Sequence, residues 1–243
     1  MEKTRQMAAT GKLYLIPAPL GDGATEAIPA YALEVLFRLD YLVVEKGKTT
    51  RQFMKAVHFP RPLSEVEYRE LSEHTTLKEY GEYLIPAEHG RDIGLLSEAG
   101  CPGVADPGAV LVELAHQKGI EVVPLVGPSS ILLALMASGL NGQRFCFQGY
   151  LTAKRGELGR DLKQLEQQSA REDSTQIFIE TPYRNQSLLE AILKTLSPQT
   201  RLCMAADLTL PTQYIRMATI AEWRSQPLPS LDKRPTVFLL HAR

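Results

Sequence analysis

The chain has 243 residues, of which 44% are hydrophobic and 23% are charged, and its formal net charge is −1 at pH 7. This composition is typical of a soluble globular protein with one large or two modest domains. The near-neutral charge argues against a protein coated with basic residues for gripping long nucleic acid, but it is compatible with a local basic patch.

The first half of the chain alternates between short apolar runs and amphipathic segments. The runs predict strands and the amphipathic segments predict helices. Predicted strands lie at 13–16, 41–44, 92–96 and 121–123, and predicted helices at 28–39, 50–57 and 110–118. The stretch 61–73 is ambiguous. Short buried strands that alternate with helices predict an α/β fold with a largely parallel sheet covered on both faces.

The pattern changes after the segment 125–128. A predicted apolar helix at 130–137 is followed by five predicted strands, at 145–147, 176–179, 202–205, 214–217 and 237–240. Their connections include both helices and short turns, which favours a mixed sheet. We therefore expect two α/β domains, 1–125 and 126–243.

The segment 95–108 has the sequence Leu-Leu-Ser-Glu-Ala-Gly-Cys-Pro-Gly-Val-Ala-Asp-Pro-Gly. It lies between a predicted strand and a predicted helix, and its small residues suit a backbone that lies close against a ligand. In an α/β sheet this position is the carboxyl end of a strand, where ligands usually bind. The alternative is an ordinary surface loop.

Several other signatures are absent. Cys101, Cys146 and Cys203 are widely spaced and form neither a CxxC pair nor a zinc pattern, which fits a reducing cytoplasm. The five histidines are scattered, so we expect no metal site. The N-terminus lacks the apolar core of a signal peptide, and the longest apolar run, 131–137, is too short to span a bilayer. We expect a cytoplasmic protein.

The segment 47–49 is not a P-loop, because Leu42 occupies the position of the required first glycine.

Five segments together carry a family resemblance: 13–22, 95–108, 123–130, 144–151 and 177–184. In this order and spacing they resemble the tetrapyrrole methylase superfamily, the class III S-adenosylmethionine (SAM)-dependent methyltransferases. Within it they look like the RsmI-like branch, which methylates a ribose 2′-hydroxyl of small-subunit ribosomal RNA. The resemblance extends from about residue 11 to residue 240. The glycines at 21 and 23 lack the third glycine of the class I methyltransferases, which makes that class a poor match.

The resemblance implies a two-domain fold that binds SAM in the cleft between the domains, a homodimer, and ribosomal RNA or the small ribosomal subunit as substrate. It also implies two sets of site residues. The catalytic candidates are Glu45, Glu180 and Arg184. The candidates for cofactor binding are Leu20, Ser97, Glu98, Ala99, Gly100, Val104, Ser130, Ile131, Leu151 and Ala206.

The chain departs from the branch at three points. At the position of Glu45 and Lys46, RsmI-like proteins have an acidic pair, which Thr and Arg follow. In this chain Lys46 replaces the second acid, and another lysine replaces the arginine. Glu98 stands where an aspartate is usual, and Tyr183 replaces a histidine. The substitution at Lys46 puts the substrate in doubt more than the fold.

Each candidate also has a structural interpretation. Leu20, Ile131, Leu151 and Ala206 would then be core residues, and Ser130 would cap its helix. Glu45 would start a solvated helix, and Glu180 would form a structural ion pair with Arg184.

The basic stretch of Lys154, Arg155 and Arg160 would bind RNA phosphate or lie in a solvated loop. At the level of function two alternatives stay open. One is methylation of a tetrapyrrole or another small acceptor, and the other is a degenerate protein that binds SAM or RNA without catalysis. The sequence does not single out a catalytic base.

Overall fold

The structure is a computed structural model that describes residues 10–152 and 155–243, without the side chain of Arg155. The chain divides into two compact units, of which the first ends at Pro128 and the second begins at Ser129. That these units are separate domains stays a prediction. No helix in the described part of the chain is long and apolar enough to cross a membrane.

A parallel five-stranded sheet forms the centre of the first unit. Its strands are β1 (Lys12–Ile16), β2 (Tyr41–Val44), β3 (Glu67–Glu70), β4 (Ile93–Leu96) and β5 (Glu121–Pro124), in the order β3-β2-β4-β1-β5. Successive residues of a strand contribute to different apolar clusters: Leu13 packs in one cluster and Tyr14 in the other. Both faces of the sheet are therefore buried, which confirms the predicted parallel sheet.

Five helices accompany this sheet: α1 (Ala30–Arg38), α2 (Gly47–Ala56), α3 (Leu77–Tyr83), α4 (Ile85–Glu88) and α5 (Gly108–Gln117). The prediction that α2 begins at residue 50 is wrong, because the helix begins at Gly47. The Gly47 N–H donates to the Glu70 carboxylate at 2.9 Å, so a side chain from the end of β3 satisfies one of the free N–H groups of the first turn. This contact joins residues far apart in sequence, and no local pattern reveals it.

The ambiguous stretch 61–73 contains β3, whose sequence is Glu-Tyr-Arg-Glu. β3 is an edge strand and pairs in parallel with β2. Its residues are half-buried or exposed, and such charged, short strands are typical of sheet edges because they discourage further pairing. The absence of an apolar run explains why the sequence pattern did not reveal a strand here.

The second unit contains a mixed sheet. Its strands are β6 (Phe145–Tyr150), β7 (Thr175–Ile179), β8 (Arg201–Ala206), β9 (Tyr214–Thr219) and β10 (Thr236–His241), in the order β6-β7-β10-β8-β9. β6 and β7 are parallel, and the other neighbours are antiparallel. The mixed sheet is as predicted. Its helices are α6 (Ser130–Ser138), α7 (Arg155–Glu172), α8 (Asn185–Thr195) and α9 (Ile220–Arg224).

Candidate functional site

The strand order of the first sheet creates a crevice at the carboxyl ends of β2 and β4. The chain leaves β2 toward β3 on one side of the sheet order, and it leaves β4 toward β5 on the other side. These two strands are neighbours, so the connections that follow them diverge. Such a switch point is the usual ligand site of an open α/β sheet.

An open pocket of about 330 Å³ lies at this switch point, within the first unit. Residues from the loop after β1, from the loop after β4 and from helix α2 form its wall. They are Ala18, Pro19, Leu20, Gly21, Asp22, Gly23, Thr25, Thr49, Thr50, Gln52, Phe53, Ala56, Leu96, Ser97, Glu98 and Ala99. The volume is in the range of small-molecule sites, which starts at roughly 300 Å³.

The loop from residue 97 to residue 107 is fixed by hydrogen bonds along its length. The Ser97 hydroxyl donates to the Ala99 carbonyl at 3.1 Å. Gly100 exchanges two backbone hydrogen bonds with Ala18, of 2.9 and 3.0 Å, and these join the loops after β4 and β1. At the far end the Asp106 carboxylate accepts the N–H groups of Gly103 and Gly108. The loop is therefore held in one shape before any ligand binds.

Two glycines allow close approaches at this end of the sheet. Gly100 has φ of +74°, in the left-handed region, and a Cβ there would meet Leu20 Cδ2 at 3.3 Å. At Gly127, in the segment after β5, a Cβ would lie 2.1 Å from Pro17 Cβ. The loops after β1 and β5 therefore pack closely because Gly127 lacks a side chain, and the left-handed backbone at Gly100 favours glycine in the loop after β4.

Glu45, Lys46 and Glu98 connect the ends of β2 and β4. The Glu98 N–H donates to Glu45 Oε2 at 2.7 Å, and Lys46 Nζ donates to Glu98 Oε1 at 2.8 Å. Burial raises the pKa of Glu45, and the hydrogen bond from Glu98 partly offsets that rise. Burial also raises the pKa of Asp106, against the N–H groups it accepts. The hydrogen bond to Glu98 raises the pKa of Lys46.

The pocket includes four of the predicted cofactor-binding residues: Leu20, Ser97, Glu98 and Ala99. Gly100 is buried behind them, where it contacts the loop after β1. Val104 is 49% exposed and is not among the residues that form the pocket wall. Glu45 contacts the pocket loop through Glu98 instead of forming the wall itself.

Ser130 and Ile131 are half-buried at the start of α6, in the second unit. The capping residue of this helix is Ser129, whose hydroxyl accepts the Leu132 N–H at 3.4 Å. The interpretation of Ser130 as the helix cap is therefore wrong, because the helix begins at Ser130 itself, one residue earlier than a cap at Ser130 requires. This leaves the Ser130 hydroxyl free of the capping role.

The four remaining candidates lie at one end of the second sheet, where β6, β7 and β8 end and β10 begins. Leu151 follows β6, whose Tyr150 pairs with Ile179, and Glu180 follows Ile179 directly. Ala206 ends β8 opposite Thr236, at the start of β10. Ala206 is fully buried in the apolar core and Leu151 packs partly against that core, so both side chains stabilise the unit.

Glu180 and Arg184 form an ion pair in which Arg184 Nη2 lies 3.0 Å from Glu180 Oε2. The Glu180 side chain is only 4% exposed and also accepts the Thr181 N–H at 2.7 Å. This is the structural pair that the sequence left as an alternative.

Of the predicted basic stretch, Lys154 and the Arg155 side chain lie outside the described residues, and Arg160 is exposed on α7.

Sequence reasoning missed the wall that α2 contributes to the pocket, namely Thr49, Thr50, Gln52, Phe53 and Ala56. The available signal was position: α2 follows β2 directly, so its first turns lie at the same edge of the sheet as the loops after β1 and β4. In the described part of the chain no group of three or more His, Cys, Asp or Glu residues is arranged to hold a metal ion.

Residues 12–223 match the model of a protein family described as Tetrapyrrole (Corrin/Porphyrin) Methylases. Three relatives named Ribosomal RNA small subunit methyltransferase I are similar in sequence. The protein of Escherichia coli O157:H7 is 34% identical over 87% of this chain and 70% of its own length. The protein of Synechocystis sp. is 33% identical over 82% and 67%, and that of Bacillus subtilis is 31% identical over 90% and 72%.

A solved structure, described as the crystal structure of the methyltransferase CobJ, has a similar fold. The two align with a TM-score of 0.64 over 96% of this chain and 95% of the other, at 20% sequence identity. At this identity the likeness concerns the fold alone.

Proposed function

We propose that the chain, which belongs to the tetrapyrrole (corrin/porphyrin) methylase family and is a methyltransferase, transfers a methyl group from S-adenosylmethionine to an RNA of the small ribosomal subunit. The acceptor would be a ribose 2′-hydroxyl. The observation that carries the proposal is the pocket at the β2/β4 switch point, whose wall includes the segment 97–99, together with relatives that share about a third of their sequence and are named for this RNA.

The residues of the pocket suit S-adenosylmethionine. When bound, this cofactor supplies a methyl group activated by a positively charged sulfonium. Glu98 and Asp22 are exposed acidic residues of the pocket wall and would attract that charge and the amino group of the ligand. Apolar contacts come from Leu20, Leu96 and Phe53. The Ala99 carbonyl already accepts a hydrogen bond from Ser97, but the Ala99 N–H has no partner among the described residues and can donate to the ligand.

The chain's own residues would act mainly by positioning. Methyl transfer is in line, so its rate depends on holding the acceptor at the correct angle and distance and on excluding water. Glu45 accepts the Glu98 N–H, and Gly100 exchanges backbone hydrogen bonds with the loop after β1, so both fix the shape of the pocket loop. We infer from the family resemblance alone that Ser130, Ile131, Leu151 and Ala206 also contact the cofactor; Ala206, whose side chain is buried in the apolar core, would do so through its backbone.

Three further parts of the proposal follow from the family. The protein would be a homodimer, it would act in the cytoplasm, where ribosomal subunits are, and it would need no metal ion. A ribose hydroxyl is a very weak acid, so some group must accept its proton. Glu45, whose pKa burial raises, is the acidic group beside the pocket loop that we assign as the first candidate to test for this role.

A second acceptor class, a tetrapyrrole or another small molecule, is suggested by the description of the family. The relatives in the range of 31–34% identity are named for ribosomal RNA, and the CobJ likeness extends only to the fold. RNA is therefore the better supported acceptor.

The experiment is methyl transfer from radiolabelled S-adenosylmethionine by the purified full chain, without added metal. The acceptors are small ribosomal subunits from a strain that lacks the protein, large subunits, and a tetrapyrrole. We expect label in the RNA of the small subunit alone. Label in the tetrapyrrole alone would favour the second acceptor class. Binding of S-adenosylmethionine without transfer to any of these acceptors would favour a protein that has lost catalysis.

A further inference from the structure

Two tyrosines of the second unit are unusually exposed at one edge of its sheet. Tyr150, at the end of β6, is 59% exposed, and Tyr183, in the turn after β7, is 77% exposed. Neither hydroxyl has a hydrogen-bond partner among the described residues. An exposed tyrosine keeps an aromatic face that another molecule can cover, and such a residue becomes informative where a second one and a cation lie beside it.

The sheet register places both tyrosines at the same end of the strands. Tyr150 pairs with Ile179, the last residue of β7. After Glu180 the chain turns through Pro182–Arg184, a single turn of 3-10 helix that contains Tyr183. Tyr183 therefore follows the strand end at which Tyr150 lies.

The turn that holds Tyr183 is rigid because it is tied on both sides. The buried Glu180 carboxylate bonds Arg184 and the Thr181 N–H. The loop before β10 is joined to the same turn, since the Lys233 N–H donates to the Pro182 carbonyl at 3.2 Å. One residue further, Asn185 Nδ2 donates to the Arg234 carbonyl at 2.6 Å. A turn fixed in this way loses little conformational freedom when a ligand binds to it.

Positive charge accompanies the tyrosines. Lys233 is exposed and its ammonium has no ion-pair partner in the described part of the chain, although Asp232 beside it is also exposed. Arg184 is 38% exposed and pairs through one nitrogen, so other guanidinium N–H groups are available. Residues 129–243 contain 14 basic and 10 acidic residues, whereas residues 1–128 contain 13 basic and 18 acidic ones. The basic excess is thus in the unit that carries the tyrosines, which fits a polyanion as ligand.

We propose that Tyr150, Tyr183, Arg184 and Lys233 form a surface, here called the tyrosine surface, that binds unpaired nucleotides of the RNA substrate. The tyrosine rings would stack on bases, and Arg184 and Lys233 would contact phosphates. Stacking on aromatic side chains with nearby cations is the usual way in which proteins hold single-stranded RNA, whereas base-paired RNA hides its base faces. This inference rests on the proposed function, because it names how the acceptor RNA is held.

The test is the binding of a fluorescein-labelled single-stranded RNA of about 12 nucleotides, followed by fluorescence anisotropy with the full chain. We expect Tyr183→Ala to raise the Kd by about fivefold or more, and Tyr183→Phe to stay near wild type, since Phe keeps the ring. The matched control is Tyr31→Ala, in the first unit, where the tyrosine is 60% exposed on α1. Lys233→Gln should reduce the slope of log Kd against log salt by about 0.7.

Two results would overturn the tyrosine surface: wild-type RNA affinity in Tyr183→Ala, or an equal loss in Tyr31→Ala. A duplex of the same sequence should bind independently of Tyr183, and a Tyr183 effect of equal size on the duplex would also contradict stacking on unpaired bases. Thermal melting checks that Tyr183→Ala remains folded, as its exposure leads us to expect.

Methyl transfer to small subunits by the wild-type chain is measured separately. RNA methylation together with an unaffected Tyr183→Ala variant would reject the tyrosine surface alone, whereas methylation of a tetrapyrrole instead of RNA would reject the proposed function.

Discussion

Glu98 provides negative charge to the wall of the pocket in the first unit, and Lys46 partly neutralises it. Their side chains are 46% and 60% exposed, so solvent screens the ion pair and it contributes little to stability. Its effect on a charged ligand is a different matter, because the ligand would meet the combined field of both groups. The replacement of an acid by Lys46 therefore affects the charge of the site more than the stability of the fold.

We expect Lys46→Met to tighten the binding of S-adenosylmethionine by about two- to fivefold, and Glu98→Gln to weaken it by a similar factor. The reason is that the sulfonium is repelled by the Lys46 ammonium and attracted by the Glu98 carboxylate. S-adenosylhomocysteine lacks the sulfonium charge but keeps the amino group, so its affinity should change less. Calorimetry with both ligands measures the difference. Equal changes for the two ligands would mean that these side chains do not act on the sulfonium.

The residues of this site were only partly predictable from sequence. Leu20, Ser97, Glu98 and Ala99 were expected because strand ends in α/β sheets bind ligands and because the segments resemble a known family. The bond from Lys46 to Glu98 joins residues 52 positions apart, so it becomes visible only once β2 and β4 are neighbours. The sequence could not decide between a structural and a catalytic role for Glu180, because Arg184, four positions later, pairs with it only in the turn that follows β7.

At the scale of elements, one buried carboxylate ties α7 to the loop before β8. Glu166 on α7 accepts the Ser197 N–H at 2.7 Å and the Thr200 hydroxyl at 2.5 Å, and it pairs with Lys163 at 3.0 Å. Burial raises the pKa of Glu166, but the bonds from Thr200, Ser197 and Lys163 outweigh it and hold the pKa below its ordinary value. The ionised form is therefore the one that the fold favours.

We expect Glu166→Gln to lower the free energy of unfolding by about 1–3 kcal/mol at pH 7, because charge-assisted hydrogen bonds are lost and the Thr200 side chain remains buried. A carboxyl whose pKa is depressed on folding stabilises the protein above its unfolded pKa. That stability disappears as the pH falls through the folded pKa. The difference between wild type and variant should therefore shrink below about pH 4.5, the unfolded pKa of a glutamate.

Urea unfolding at a series of pH values measures this difference. The matched control is Glu190→Gln on α8, where the glutamate is exposed and has no ion pair within the described residues. If the difference in unfolding free energy stays constant down to about pH 3, the charge of Glu166 does not stabilise the contact between α7 and the loop before β8.

Strands were the elements that the sequence predicted best, because apolar runs such as those of β2 and β4 are buried on both faces. β3 was not recognised because it is a charged edge strand. The start of α2 was placed too late, since the Glu70 carboxylate that satisfies the Gly47 N–H comes from a different element. Local patterns thus reveal elements whose cause is local, and they miss those that depend on tertiary contacts.

At the scale of the whole molecule, the second unit has an exposed apolar patch that suits a subunit interface. Leu132 and Met136 of α6 are 51% and 79% exposed, and Phe145 of β6 is 43% exposed. These three side chains surround one shallow pocket. Large exposed apolar patches of this kind usually mark interaction sites.

We expect sedimentation equilibrium to give a mass of twice the 27.0 kDa of one chain. Met136→Lys should weaken the dimer by at least about tenfold in Kd, because it places a charge in the apolar patch. Met217→Lys, at a residue 40% exposed on β9, is the matched control. A wild-type mass of 27.0 kDa at micromolar concentration would reject the homodimer.

The overall architecture could be predicted well, since five motifs in register resemble one superfamily and the family model matches residues 12–223. The acceptor could be predicted only through that resemblance, because the way it is held depends on surfaces such as the proposed tyrosine surface, whose loops come together only in the folded second sheet.

The measurement that tests the proposed function most directly is the identification of the methylated nucleoside. Small-subunit RNA labelled by the purified protein and S-adenosylmethionine is hydrolysed in alkali, which cannot cleave after a ribose whose 2′-hydroxyl carries a methyl group. The proposed function predicts that the label is recovered in one alkali-resistant dinucleotide and, after enzymatic digestion, in a 2′-O-methylnucleoside. Label in a methylated base, or RNA without label beside a methylated tetrapyrrole, would contradict it.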